Sequence, residues 1–289
     1  MSTLCLFAAH FGKNTIPHYV KVYLLELKKH FTGVQLLGHD DIGSEDQAFL
    51  KNQGILYRKE KNEGYDFGMW YKALKDLPVE NYERIALVND SCILFKPLEK
   101  FMKAMEQSGA DFYGMSFSEA VSWHLQSYFL ILNKRAISTA IEYFQEQGIK
   151  SSLKEVISMY EIGLSSYLMK KGFKLSAFVD NKGYSGEFSP YYYLLNYHLQ
   201  QGIPLIKKKI IFISYRKDEL FTLARMNFRM QPAYYRHVIL EDNEALLDRE
   251  GLIKDISGSL SVFTRVRYEL LRVAIQFFQT LKKLFSSSR

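Results

Sequence analysis

Cysteine is scarce in this chain: 289 residues hold two, Cys5 and Cys92, each inside an apolar run that reads as a strand. Two thiols so placed exclude a disulfide framework and a cysteine-built zinc site, and suit a buried, reduced state in the cytosol. Long hydrophobic runs are missing as well, since none reaches the roughly 18 residues of a membrane span. The opening MSTLCLFAAHFGKN lacks the charged start and long apolar region of a secretory signal. Also absent are a recognised nucleic-acid-binding motif and a regular array of basic and aromatic residues. The net charge of +7 therefore points away from nucleic acid and toward anionic lipid or a phosphorylated substrate. These absences describe a cytoplasmic protein, soluble or peripheral to the inner face of the membrane.

What is present suffices for a large core, with 47% hydrophobic and 24% charged residues. Short apolar runs alternate with helical patterns. Leu4 to Ala9 reads as a strand, Ile16 to Phe31 as a helix with Pro17 in its first turn, Val34 to Leu37 as a second strand and Ile55 to Tyr57 as a third. That alternation predicts an α/β fold. His10 and Asp40 or Asp41 would then fall on one edge of the sheet, as contacts for a base and ribose or as ordinary turn residues.

The central stretch runs from Asn62 to Leu94. A glycine-punctuated loop, NEGYDFG, leads into a helical MWYKAL and then the strand RIALVNDSCILF, which breaks at Asn89-Asp90-Ser91. Ile85 to Val88 is apolar enough to be buried on both faces, and the carboxyl end of such a strand opens onto the ligand crevice. Asp90 would present a carboxylate there, a group suited to sharing a hard divalent cation, Mg or Mn, with substrate phosphates. Gly64 and Gly68 allow close backbone approach on either side of Asp66. Taken singly, each motif reads first as a strand terminus or a turn; together they point to a site.

NEGYDFGMWYKAL paired with LVNDS resembles the rhamnan synthesis protein F family over most of Leu4 to Phe212. The resemblance implies a GT-A-like, Rossmann-like nucleotide-sugar-binding sheet flanked by helices. It makes Asp90 the metal and pyrophosphate residue, with Asn89 and Ser91 beside it, and assigns Asn62, Gly64 and Asp66 to the donor-sugar loop. The segment HLQSYFLIL is similar to the strand beside the family's sugar site, which makes His124 and Gln126 substrate contacts, although a lone histidine is more often satisfied within its own strand edge.

Ser158 and Glu161 fit a helix capping box. The acid followed by an apolar helix also resembles the segment carrying the general base of inverting enzymes, where a carboxylate takes the proton of an attacking hydroxyl. Asp180 to Pro190 reads as a loop that closes over the donor, and the triple lysine is either a solvated face, the usual fate of a charge run, or sends Lys207 to the pyrophosphate.

Three segments follow: a catalytic domain over 1–213, a helical or irregular extension over 214–261, and a basic amphipathic helix over 262–289. In the last, Val262, Val266, Leu270, Val273 and Phe277 form a stripe amid Arg265, Arg267, Arg272, Lys282 and Lys283. Such a stripe packs on protein or lies on anionic lipid. The function that the family resemblance implies is an inverting glycosyltransferase moving rhamnose from dTDP-rhamnose to a lipid-linked surface polysaccharide. The alternative is a scaffold that binds the nucleotide sugar without turnover, which the single carboxylate of Asn89-Asp90-Ser91 favours.

Overall fold

The computed structural model describes residues 2–11, 14–94, 96–119, 121–181 and 195–208, with Val266 and Leu270 beyond them. The extension expected over 214–261, the amphipathic helix apart from those two residues, and the closing loop past Asn181 lie outside the described residues. The rest is a mixed α/β fold with a central, mostly parallel sheet between helices.

The parallel half comes first in the chain. Strands β1 (Thr3–Ala8), β2 (Gly33–Gly38), β3 (Leu56–Lys59) and β4 (Arg84–Asn89) take the spatial order β3-β2-β1-β4, all parallel. Helices α1 (His18–Leu27), α2 (Ser44–Asn52) and α3 (Tyr65–Lys75) make the crossovers. Pro17 stands at the amino cap of α1 rather than inside its first turn, with φ −58 and ψ 145. A proline ring fixes that φ, and the extended ψ feeds the chain into the helix from a loop.

The short β5 (Cys92–Leu94) leaves the main sheet, and α4 (Glu99–Ser108) begins two residues past the expected Pro97. Next come β6 (Phe112–Ser118), β7 (His124–Leu125) and β8 (Phe129–Asn133). The single strand expected from Trp123 to Leu132 is thus broken in two, because Gln126, Ser127 and Tyr128 turn the chain from a pairing with the end of β6, at Phe117 and Ser118, to a place between β4 and the start of β6. Helix α5 (Lys134–Gln147) lies where its apolar periodicity placed it.

A helical stretch then runs through α6 (Leu153–Glu155), a π-helical segment (Val156–Ile162) and α7 (Gly163–Lys170). Strand β9 (Leu175–Val179), helix α8 (Leu195–Gln201) and β10 (Leu205–Lys207) complete the described chain. β9 joins β6 in parallel, and β10 pairs antiparallel with β5.

Two apolar clusters cover the two faces of the sheet. One holds Phe7, Tyr23, Leu24 and Phe101 against α1 and α4; the other holds Leu6, Trp70, Phe144 and Leu164 against α3, α5 and α7. Ile85, Ala86, Leu87 and Val88 of β4 are wholly buried between them, as expected of a strand covered on both sides. From β1 the chain steps outward to β2 and β3 and then returns to the other side of β1 as β4. The carboxyl ends of β1 and β4 therefore flank the topological switch point, where open α/β sheets leave a crevice.

Candidate active site

The switch point is lined by the Asn89-Asp90-Ser91 turn. Ala8 and Asn89 are register partners, and the Asp90 amide donates to the Ala8 carbonyl at 3.1 Å, which holds the two strand ends together. The Asp90 carboxylate, 8% exposed as a residue, accepts from the Lys208 ammonium at 2.8 Å and from the Tyr19 hydroxyl at 3.1 Å. Lys208 also donates to Tyr19 at 2.8 Å, closing a triangle. Pairing of β10 with β5 brings the lysine back: Lys207 lies opposite Cys92, and the Lys208 amide donates to the Ser91 carbonyl at 2.9 Å. Burial works to lower the Lys208 pKa, but the charge of Asp90 and the Tyr19 contact outweigh it and raise the net value, so the ammonium stays charged.

Lys207, the lysine expected at the pyrophosphate, sits over the Tyr128 ring at 4.8 Å from its centroid. Its neighbour Lys208, and not Lys207, joins Asp90. Strand alternation sends adjacent lysines to opposite sides, and no pattern in Lys207-Lys208-Lys209 reveals which one turns inward. Tyr19 also escaped sequence reading, because at its position in α1 it matches a core residue.

A second string of contacts starts at Asn89. Its amide nitrogen donates to Asp66 at 2.7 Å and to the Ser127 carbonyl at 3.4 Å, while its oxygen accepts from the Ser91 hydroxyl at 2.6 Å. The Ser127 amide in turn donates to Glu161 at 3.3 Å. Asp66, Asn89, Ser91 and Glu161 are thus brought together as a chain around the end of β4. Burial, and after it the nearby Asp90 carboxylate, push the Asp66 carboxyl up to about 7, against the opposing hydrogen bond from Asn89.

Asp66 reaches this place because the loop before α3 turns sharply. Gly64 has φ +78 and Tyr65 φ +57, two successive left-handed residues, and a Cβ on Gly68 would lie 1.8 Å from the Glu63 carbonyl oxygen. Only glycine fits at position 68. Asn62 lies exposed at the start of the loop.

Glu161 does not cap a helix. The capping box forms six residues earlier, between Ser152 and Glu155, where both reciprocal bonds are present. Ser158 and Glu161 match the same spacing but fall inside the π-helical segment, whose wider turn removes them from any helix start.

At the neighbouring strand ends His10 and His39 stack, with ring centroids 4.4 Å apart and planes 11° from parallel. Asp40 lies 3.3 Å from His39 Nε2. Burial first, and then the neighbouring His39, lower the His10 pKa, which keeps that ring neutral near pH 7. His124, in β7, and Gln126, just past it, lie farther along the same edge, with β8 and β6 between β7 and β4. His124 is buried with Nδ1 at 2.7 Å from the Ser122 carbonyl, and Gln126 accepts from the Ser116 hydroxyl at 3.3 Å.

Neither cluster fits a divalent metal well. A hard dication takes several anionic oxygens, whereas Asp90 brings one carboxylate whose charge Lys208 already balances at 2.8 Å. His10, His39 and Asp40 offer three donor atoms within 4.8 Å of one another. Their imidazoles, however, lie in nearly parallel planes, and in-plane lone pairs of stacked rings do not converge on one ion.

The sequence profile of the family described as rhamnan synthesis protein F matches residues 40–245. No curated protein matches. Among solved structures, the chain is similar to a protein described as a nucleotide-diphospho-sugar transferase from Desulfovibrio desulfuricans G20. The identity is 15% with a TM-score of 0.41, covering 70% of this chain and 97% of that one. It is also similar to a protein described as a glucose-1-phosphate thymidylyltransferase from Bacillus anthracis, at 12% identity and a TM-score of 0.43, covering 61% and 86%. A galactosyltransferase in complex with donor and acceptor sugar analogues matches at 12% identity and a TM-score of 0.41, covering 82% and 100%.

Proposed function

The chain belongs to the rhamnan synthesis protein F family, and from that premise we propose that it is an inverting glycosyltransferase using a nucleotide-activated sugar. The donor is taken to be dTDP-rhamnose and the acceptor a lipid-linked saccharide of a bacterial surface polysaccharide. The observation that carries this reading is the gathering, at the switch point, of a buried carboxylate and ammonium pair, Asp90 and Lys208, with the string Asp66, Asn89, Ser127 and Glu161.

In this reading the stacked His10 and His39 rings form a platform for the nucleobase, and Asp40 meets the ribose hydroxyls. Lys208 faces the diphosphate, and Lys207 adds positive charge from its place over the Tyr128 ring. Asp66 and Asn89 contact the donor sugar, with His124 and Gln126 farther along the same edge. Glu161 is the base: it takes the proton of the acceptor hydroxyl as that oxygen bonds to the anomeric carbon. The bond from that carbon to the diphosphate oxygen breaks on the opposite face, and its electron pair leaves with the diphosphate. Positive charge near the leaving group lowers the barrier as that charge develops.

A scaffold that binds nucleotide sugar without turnover is the second reading, favoured by the single, already balanced carboxylate of Asp90. Screening nucleotide sugars for hydrolysis or transfer with the purified chain separates the two. Release of a nucleoside diphosphate supports the enzyme; tight binding with no release from any donor supports the scaffold.

Peripheral attachment to anionic membrane through residues 262–289 belongs to the same proposal. Val266 and Leu270, one turn apart, are helical and 53% and 68% exposed, and no helix of the described residues is long and apolar enough to cross a membrane. Binding to anionic vesicles should weaken as salt rises and vanish on deleting the segment. An intact chain that ignores such vesicles rules out the attachment.

A further inference from the structure

We propose that Lys208 does the work of a divalent cation in this site, so that the chain grips a nucleoside diphosphate without metal. The inference rests on the nucleotide-sugar reading above and concerns how the diphosphate is held.

Three observations support it. First, the Lys208 Nζ lies 2.8 Å from the Asp90 Oδ2, at the end of the switch-point strand where a carboxylate would otherwise recruit a hard cation. The ammonium is a compact point charge and supplies the balancing charge from within the chain.

Second, the lysine is built in rather than draped across the surface. Its side chain is 9% exposed, its amide is tied to Ser91, and Tyr19 supports it from α1. Asp90 and Tyr19 engage two of its N–H groups, and an ammonium has three. Among the described residues no third partner engages it, and we assign that donor to a phosphoryl oxygen. Asp90 then acts as a positioning residue that fixes the ammonium and keeps it protonated.

Third, the surroundings are suited to an anion. Lys207 precedes it as the last residue of β10, and both lysines are close enough to Asp66 to favour its charged form. His10, from the end of β1, feels both Asp90 and Lys208. A diphosphate entering the crevice between the ends of β1 and β4 would meet the Lys208 ammonium beside the carboxylate that it balances.

The test is calorimetric titration of dTDP, UDP and GDP into the full chain, in chelator and in excess Mg or Mn. The expected result is that at least one of them binds with the same affinity, within about twofold, in both buffers. Binding that disappears in chelator and returns with metal overturns the inference while leaving the nucleotide reading intact. Failure of all three to bind in either buffer overturns both.

Lys208→Met alone strands Asp90, so a paired variant, Asp90→Asn with Lys208→Met, removes both charges while keeping side-chain volume. It should retain the wild-type circular dichroism spectrum and lose at least about tenfold in affinity in chelator, the effect of a 1.4 kcal/mol change. Wild-type affinity in a folded paired variant also overturns the inference. In Asp90 with Lys208→Ala, the freed carboxylate should gain a dependence on Mg that the parent chain lacks.

Discussion

On one side of the crevice Asp90 and Lys208 are nearly closed to solvent and locked with Tyr19, the three joined from β4, the end of β10 and α1. On the other side Glu161 is half-exposed on a π-helical turn, and among the described residues it holds the Ser127 amide at 3.3 Å. The first arrangement is rigid, electrically balanced and fixed by distant parts of the chain. The second is loosely held and free to meet another molecule. That contrast matches a division of labour in which one wall grips the constant diphosphate and the other addresses the reacting hydroxyl, and each wall can be broken separately.

The largest effect is expected at the locked wall. Asp90→Ala leaves the Lys208 ammonium buried without its partner, which costs about 3–5 kcal/mol, and transfer should disappear with it. Urea unfolding and a turnover assay on the same preparation check both. Unchanged stability would mean that the ion pair is not buried in solution. Glu161→Gln comes next: turnover should fall about a hundredfold or more, with donor affinity and melting temperature nearly unchanged. Equal losses in donor affinity and turnover would place Glu161 on the donor wall and erase the contrast.

His39→Ala removes half of the stacked pair and should weaken nucleotide binding about tenfold, the scale of one base on an aromatic ring. Titration of nucleoside diphosphate against inorganic pyrophosphate isolates this effect, because pyrophosphate has no base to stack. A matching loss for pyrophosphate would contradict the platform.

The smallest effect concerns Asp66, whose pKa is raised by burial and by Asp90 to about 7. Between the ordinary carboxyl range and that value the folded chain keeps a proton that the unfolded chain has released. Stability should therefore fall as pH rises through that window and level off above it. In Asp66→Asn the slope should flatten, and the melting temperature at pH 8 should exceed that of the parent. Parallel melting curves against pH would show that Asp66 is not desolvated.

Much of the locked wall was legible in the sequence. Apolar runs short enough for strands marked β1, β2 and β4, and a polar triplet at the end of the most apolar one marked Asp90. His10 and Asp40 were likewise placed on one edge by strand and helix alternation alone. The partners of Asp90 were not legible. Tyr19 shares its spacing with core residues of α1, and Lys208 arrives from a strand far along the chain, where a shift of one residue exchanges inward for outward.

The capping reading of Ser158 and Glu161 failed for a different reason. Ser152 with Glu155 and Ser158 with Glu161 share one spacing, and both satisfy the capping pattern. Only the first lies where a helix begins. A π-helical turn has no periodic signature that would have separated them. The break at Gln126, Ser127 and Tyr128 was hidden in the same way, because the chain keeps its apolar composition on both sides of the turn, where β7 and β8 each pair with β6.

The diphosphate of the donor is expected between the ends of β1 and β4, against Lys208. A crystal structure of the full chain grown with dTDP in chelator tests it most directly. The account predicts a phosphoryl oxygen within hydrogen-bond distance of the Lys208 Nζ and the base against the His10 and His39 rings. A nucleotide bound elsewhere on the chain, or a Lys208 that makes no contact with it, would contradict the account.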